Sequence, residues 1–86
     1  MQSIPREWLG SAVSVEWAEE DNTREDGVPF GYLNGEWERL KAMMLPGDEL
    51  WGFCSPPDSW QHLAGRAGYA LIRNGEVIDC IVTLEN

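Results

Sequence analysis

The residues best suited to chemistry lie between Cys54 and His62. Asp58 and His62 are four positions apart, so on a helix they share a face where a carboxylate can orient an imidazole. An oriented imidazole can activate a thiol or hydroxyl, and Cys54 and Ser59 are close in sequence. Each residue also has an ordinary explanation: Asp58 as a helix N-terminal acid, His62 as an exposed helix residue, and Cys54 as a small strand residue. We therefore predict no catalytic residue and no enzyme.

Metal and cofactor sites are not indicated by any spacing. Cys54 and Cys80 are 26 positions apart, and the sequence has a single histidine. This set of residues and its spacing match no pattern of zinc ligands. The acidic run from 19 to 26 lacks the ligand alternation of a calcium loop. Gly65-Arg-Ala-Gly68 lacks the Lys-Ser/Thr that follows a phosphate-binding loop. We predict neither a metal nor a cofactor.

The charge balance favours a protein partner. Fifteen acidic residues against six basic ones give a net charge of −9 and a pI near 4.3. Direct binding to nucleic acid or an anionic membrane is disfavoured, since both draw on clustered Lys and Arg. A basic protein surface is the electrostatic complement, and plain solubility is the other interpretation of the acid surplus. The predicted partner-binding residues are Glu19, Glu20, Asp21, Glu25, Asp26 and Trp60.

The length of 86 residues allows one small domain, covering 1–86, which buries only about 60 to 65% of its unfolded surface. Hydrophobic residues make up 43% of the chain and charged residues 24%, a globular balance. The first ten residues lack a signal-peptide pattern, and no apolar run approaches the ~20 residues of a membrane span. We expect a cytoplasmic protein with both thiols free, either a monomer or a homodimer.

Periodicity places the elements of the amino-terminal half. Alternation of Val13, Val15 and Trp17 over Ala12–Ala18 predicts a half-buried strand, and residues 19–27, which contain no large apolar side chain, predict an acidic solvated loop. From Asn34, as N-cap, a helix is predicted to residue 44, with Trp37, Leu40 and Met44 on one face. Glu49–Cys54 carries apolar groups on both faces and is typical of a central strand.

Turn chemistry places the elements of the carboxyl-terminal half. Ser55 is predicted to cap a short helix that runs to Ala64 and stops at Gly65. Asn74-Gly75 predicts a type I′ hairpin between 66–73 and 76–84. A two-residue loop sets Arg73 opposite Glu76 and would place three further pairs on one apolar face, Leu71 with Ile78, Tyr69 with Cys80 and Ala67 with Val82.

These elements together predict an α+β fold. The expected architecture is a three- or four-stranded, mainly antiparallel sheet with two helices on one face and a carboxyl-terminal β-hairpin.

The carboxyl half resembles a group of small bacterial proteins. The likeness is carried by Gly47-Asp-Glu-Leu-Trp-Gly-Phe-Cys-Ser-Pro-Pro-Asp-Ser-Trp60, Leu63-Ala-Gly-Arg-Ala-Gly-Tyr-Ala-Leu71 and Asn74-Gly-Glu-Val77. The resemblance implies a bacterial or mobile-element origin and a shared scaffold. It brings no assigned activity and no site residues, and the amino half departs from it.

Two functional hypotheses follow from these features. The first is a non-catalytic, acidic protein that binds another protein, one form being an inhibitor with a nucleic-acid-like acidic surface, as in anti-defence proteins such as anti-CRISPRs. The alternative is a small enzyme or enzyme subunit that uses the Cys54-Asp58-His62 region.

Overall fold

The computed structural model describes residues 3–86 and confirms the predicted α+β class. Within that range, one antiparallel sheet has the strand order β1-β2-β3-β4, which is also the chain order. The strands are β1 (Leu9–Val13), β2 (Glu49–Cys54), β3 (Arg66–Arg73) and β4 (Glu76–Glu85). The helices are α1 (Val15–Asp21), α2 (Asn34–Met43) and α3 (Pro57–Gln61), and 3₁₀ turns lie at Arg6–Trp8 and Gly31–Leu33.

Helix α1 replaces most of the strand predicted over 12–18. That prediction was wrong after Val13, where β1 ends. Ser14 takes an extended conformation, and its hydroxyl accepts a hydrogen bond from the backbone N–H of Trp17 at 3.0 Å, which caps a helix. Ala18 is then fully buried, while Trp17, expected to face inward, is 50% exposed. The N-cap bond and the helix that follows it override the apparent alternation.

The segment predicted as an acidic loop at 19–27 is therefore partly helical. Residues 19–21 form the last turn of α1, and only the remainder is a loop. The loop is also tied to the sheet, because the Asn22 side-chain amide donates to the Ala18 carbonyl at 2.7 Å and to the Tyr69 hydroxyl at 2.9 Å. Thr23 forms an isolated bridge with Pro29.

Helix α2 confirms the helix predicted over 34–44 to within one residue, but the predicted N-cap was wrong. Asn34 is the first helical residue and Leu33 precedes it as the N-cap. The Asn34 side-chain amide instead donates to the Pro29 carbonyl at 3.0 Å, which closes the preceding loop. Trp37 and Leu40 are buried on the inner face, as their spacing predicts.

Strand β2 has the central position that its apolar residues predict. It pairs with β1 on one side and β3 on the other. Leu50 belongs to a core between the sheet and helices α1 and α2, whose main buried residues are Ala18, Phe30, Trp37, Leu40, Leu50, Tyr69, Leu71 and Ile81. Phe53 lies in a second core on the opposite face, with buried residues Ile4, Phe53, Ala70, Ile72 and Cys80. The two longer helices thus share one face, with α1 in the place predicted for the short helix after Ser55.

The Asn74-Gly75 hairpin is confirmed. Both residues have positive φ, 53° at Asn74 and 79° at Gly75, and Arg73 lies opposite Glu76. This is the backbone geometry that a two-residue type I′ loop requires.

The register predicted beyond the first pair was wrong. Irregularities between Leu71 and Ile72 and between Ala67 and Gly68 shift the pairing. Leu71 therefore faces Asp79 instead of Ile78, Tyr69 faces Ile81 instead of Cys80, and Ala67 faces Leu84 instead of Val82. An extra residue on one strand moves every later side chain relative to its partner. Cys80 consequently lies opposite Ala70 in the second core.

The corner after β2 also differs from its prediction. Helix α3 ends at Gln61, before Ala64, and Pro56 occupies the N-cap. Ser55 is buried, where its hydroxyl accepts from the Arg66 backbone N–H at 2.9 Å and shares a 2.6 Å hydrogen bond with the Ser59 hydroxyl. Ser55 thus ties the corner to β3 instead of capping the helix.

Candidate functional site

An open groove lies where α1 stops covering the sheet. Its volume is about 400 Å³, and residues from β1, α1, β2, β3 and β4 line it. The residues that define its floor and walls are Val13, Trp17, Gly52, Cys54, Ala67 and Leu84. Trp17 and Leu84 are 50% and 61% exposed, so apolar surface is presented to solvent here. We refer to this feature as the groove.

Carboxylates stand directly beside the groove. Trp17, Glu20 and Asp21 line a smaller hollow of about 250 Å³, and Trp17 and Asp21 also belong to the groove wall. The acids continue along the loop, where Arg24, Glu25 and Asp26 line a further hollow. We call the exposed set Trp17, Glu20, Asp21, Glu25 and Asp26 the acidic–aromatic surface.

Glu19, the fifth acid predicted to bind a partner, is placed elsewhere. Its Oε2 accepts from the Trp37 indole N–H at 2.8 Å and from the Lys41 ammonium at 2.6 Å. The hydrogen bond from Lys41, followed by that from Trp37, lowers the pKa of Glu19 below its usual value of 4.5. Glu19 therefore joins α1 to α2, and we assign it to the framework of the fold.

Trp60, the predicted aromatic anchor, is held by the corner around α3. Its indole N–H donates to the Ser55 carbonyl at 3.2 Å. A Cβ added at Gly65 would lie 2.1 Å from its ring, so Gly65 packs directly against the indole. Trp60 does not line the groove.

Trp17 is the exposed tryptophan that the alternating pattern concealed. A helical interpretation was available in the sequence, because Ser14 followed by Glu16 matches an N-cap with an acid in the first turn. On such a helix Val15, Ala18 and Asn22 share the inner face, and Trp17, Glu20 and Asp21 lie away from it.

The residues of the enzyme alternative do not form a relay. His62 Nδ1 lies 2.8 Å from the backbone carbonyl oxygen of Asp58, which holds the ring back on its own helix. The Cys54 thiol donates to the Ser55 carbonyl at 3.4 Å and lines the groove. The contact that orients the imidazole is thus with the Asp58 backbone.

The two thiols lie in different environments, and both are free. Cys54 is exposed, whereas Cys80 is 2% exposed in the second core. Burial, with a smaller contribution from Asp79, raises the pKa of Cys80 to about 11. Cys54 is therefore the accessible thiol of the native chain.

The part of the chain described here holds no cluster of three or more His, Cys, Asp or Glu side chains able to bind a metal ion. None of the helices within 3–86 combines the length and apolar character needed to cross a bilayer. No protein-family model matches the chain, and no curated protein or solved structure is significantly similar to it. The resemblance to small bacterial proteins stays a prediction.

Proposed function

We propose that this chain is a non-catalytic binding domain that engages a basic partner protein through the acidic–aromatic surface. The observation that carries the proposal is the position of Trp17, half exposed between two carboxylates and an open apolar groove. Charge and apolar area are thereby combined on one side of the molecule.

The net negative charge bears on the rate at which a basic partner associates. The chain has a net charge of −9, and among the described residues Lys41 and Arg73 form ion pairs with Glu19, Glu38 and Asp48. Arg24 lines hollows with three of the four exposed carboxylates of the acidic–aromatic surface, Asp21, Glu25 and Asp26. A field of one sign accelerates association with an oppositely charged partner and makes the rate depend on salt.

The exposed tryptophan bears on the affinity for the partner. Tryptophan is enriched among the few residues that carry most interface energy, especially where it fills a desolvated contact. Trp17 offers a large apolar area with the groove beside it, and the surrounding acids form the polar rim that such contacts commonly have. Trp17 thus takes the anchoring role that the sequence suggested for Trp60.

We place this activity in a bacterial cytoplasm, in keeping with the resemblance of the carboxyl half. An inhibitor that covers a nucleic-acid-binding groove is one form of the proposal, because such grooves are basic and an acidic surface complements them.

Photo-crosslinking tests the location of the surface. A benzophenone amino acid replaces Trp17 in one variant and Leu45, which is 56% exposed in the loop after α2, in a control variant. We expect the probe at 17 to capture a basic protein from a bacterial lysate and the probe at 45 to leave it free. Equal capture from both positions, or capture of an acidic protein, contradicts the proposal.

A further inference from the structure

The floor of the groove contains a glycine in front of which the structure leaves open space. Gly52 lies at the middle of β2, opposite Tyr69 of β3 and beside the irregularity of β1 between Leu9 and Ala12. Glycine weakens a strand interior, because it loses more conformational entropy than other residues and offers no side chain to pack. A Cβ built at Gly52 meets no atom within 4 Å, so the space in front of it is open.

The neighbouring strand glycines differ from Gly52. A Cβ at Gly68 would lie 2.0 Å from the Ile81 carbonyl oxygen, so the close approach of β4 requires glycine there. At Gly10 a Cβ would touch the Gly52 carbonyl oxygen at 3.4 Å. The close approach of β4 accounts for Gly68, and β2 lies against Gly10, whereas no atom lies in front of Gly52.

The direction of that hollow follows from strand alternation. Leu50, Gly52 and Cys54 share the face that α1 and α2 cover. Leu50 is buried in the core beneath the helices, while Cys54 lies at the exposed end in the groove. A side chain at 52 would therefore enter the groove between these two neighbours.

The chemistry of the groove changes along its length. Ala67, Leu84, Val13 and the ring of Trp17 make much of its wall apolar, and Asp21 provides the charge at the α1 end. No Lys or Arg is among the described residues that line it. Asp21 continues into the hollow shared with Glu20, where the Trp17 ring and two carboxylates face the same space. Aromatic rings and carboxylates both favour a guanidinium or ammonium group.

We infer that the groove receives one apolar side chain of the partner protein over Gly52, while an adjacent Arg or Lys of the same segment contacts Trp17, Glu20 and Asp21. The occupant is thus a segment in which an apolar residue neighbours a basic one. A volume of about 400 Å³ lies at the low end of pockets that bury small organic ligands, and it has room for the apolar side chain together with part of the segment that carries it. This inference rests on the proposed function and adds the composition of the contacting segment.

Filling the groove tests the inference with little risk to the fold. Gly52→Val places a β-branched residue, which strands favour, at a position whose Cβ meets no atom within 4 Å. Gly35→Ala is the control, because Gly35 lies in α2 and its added Cβ also meets nothing within 4 Å. Both variants should melt at the wild-type temperature or above.

The probes are synthetic peptides with Gly-Ser sequences on both sides of a central tripeptide. The central tripeptide is Arg-Leu-Arg, and Arg-Ser-Arg and Glu-Leu-Glu serve for comparison. Binding is measured from amide chemical shifts. Arg-Leu-Arg should shift the amides of Gly52, Ala67 and Thr83 in the wild type and in Gly35→Ala. Affinity should fall about tenfold or more in Gly52→Val and with Arg-Ser-Arg.

The outcomes separate this inference from the proposed function. Equal binding of Arg-Leu-Arg and Arg-Ser-Arg, unchanged binding by Gly52→Val, or no binding of any peptide overturns the inference and leaves the proposed function to its own tests. Equal binding of Glu-Leu-Glu and Arg-Leu-Arg counts against both. Self-association of the wild type that Gly52→Val abolishes would assign the groove to a second copy, and would also overturn the inference.

Discussion

The Glu19 carboxylate accepts a hydrogen bond from the indole N–H of Trp37 at 2.8 Å, which links the last turn of α1 to the most buried side chain of α2. Lys41 approaches the same oxygen at 2.6 Å. The first acid of the charged run is thus a framework residue, while Glu20 and Asp21, which follow it, remain exposed.

Removing the Glu19 acceptor should destabilise the fold. Glu19→Ala leaves the buried indole N–H of Trp37 without its partner, at a cost of about 1–3 kcal/mol in the free energy of unfolding. Glu19→Gln keeps an oxygen acceptor and loses only the charge of a partly exposed pair, so it should cost under about 1 kcal/mol. Urea titration measures both, with Glu20→Gln as the exposed control. Equal stability of Glu19→Ala and Glu20→Gln would refute the framework role.

Low pH should destabilise the fold, because Glu19 and Asp48 become protonated. The hydrogen bond from Arg73, followed by that from the Leu45 backbone N–H, lowers the pKa of Asp48 below its usual 3.8. Because both carboxyl groups have folded-state pKa values below their unfolded ones, the unfolded chain takes up protons first as the pH falls. Their stabilisation is complete above about pH 5 and is lost as the pH drops through the lowered values.

Thermal melts across this range provide the check. Glu19→Gln should show a shallower loss of stability with acid than the wild type, since it no longer carries one of the two groups. Identical pH profiles would show that Glu19 contributes nothing to the linkage.

Alkylation should distinguish the two thiols. Cys54 is exposed, so iodoacetamide should modify it in the native protein at neutral pH. Cys80 is buried and its pKa is about 11, so too little thiolate is present and accessible for reaction until the chain unfolds. Mass spectrometry under native and denaturing conditions counts the adducts. Two adducts on the native protein at similar rates would contradict the packing of the second core.

The hairpin turn should be sensitive to β-branching at Gly75. With φ at 79°, Gly75→Val should cost about 1 kcal/mol or more, because valine is strained in the left-handed region. Gly75→Asn should be milder, since asparagine tolerates that region. The same glycine-to-valine change at Gly52 serves as the matched strand control. A melting temperature for Gly75→Val equal to that of the wild type would mean that the turn is not type I′.

Local chemistry explains which elements the sequence predicts. Asn74-Gly75 determines its turn within two residues, and Trp37 and Leu40 identify the inner face of α2 by spacing alone. Val13, Val15 and Trp17 fit the alternation of a strand as well as they fit a helix, and the Ser14 N-cap is the feature that distinguishes the two. The bulges beside Leu71 and Ala67 have no comparable signal in the sequence, because they depend on how β3 and β4 pack.

The candidate site was less predictable than the fold. The acids Glu20, Asp21, Glu25 and Asp26 could be selected from their charge, but the groove combines residues from five elements that are distant in sequence. Glu19 could be separated from that group only after the position of Trp37 was known. The sequence therefore identifies the acids of the candidate site, whereas the groove beside them is identified only by the structure.

Neutralising the acidic–aromatic surface should not harm folding. The variant combines Glu20→Gln, Asp21→Asn, Glu25→Gln and Asp26→Asn and keeps Glu19. Asp26 accepts a hydrogen bond from the Val28 backbone N–H at 3.0 Å, and asparagine retains an oxygen for it. Relief of like-charge repulsion should leave the melting temperature equal or higher. A clear drop would show that these acids serve the fold.

The salt dependence of affinity for the partner captured at position 17 tests the central claim most directly. The four-amide variant is compared with the wild type and with a charge-matched control that neutralises Glu36, Glu49, Asp58 and Glu76, which lie off the surface. We predict weaker binding and a smaller loss of affinity with added salt for the surface variant alone. Equal affinity and equal salt dependence for the surface variant and the wild type, or the same change in both variants, would contradict binding through the acidic–aromatic surface.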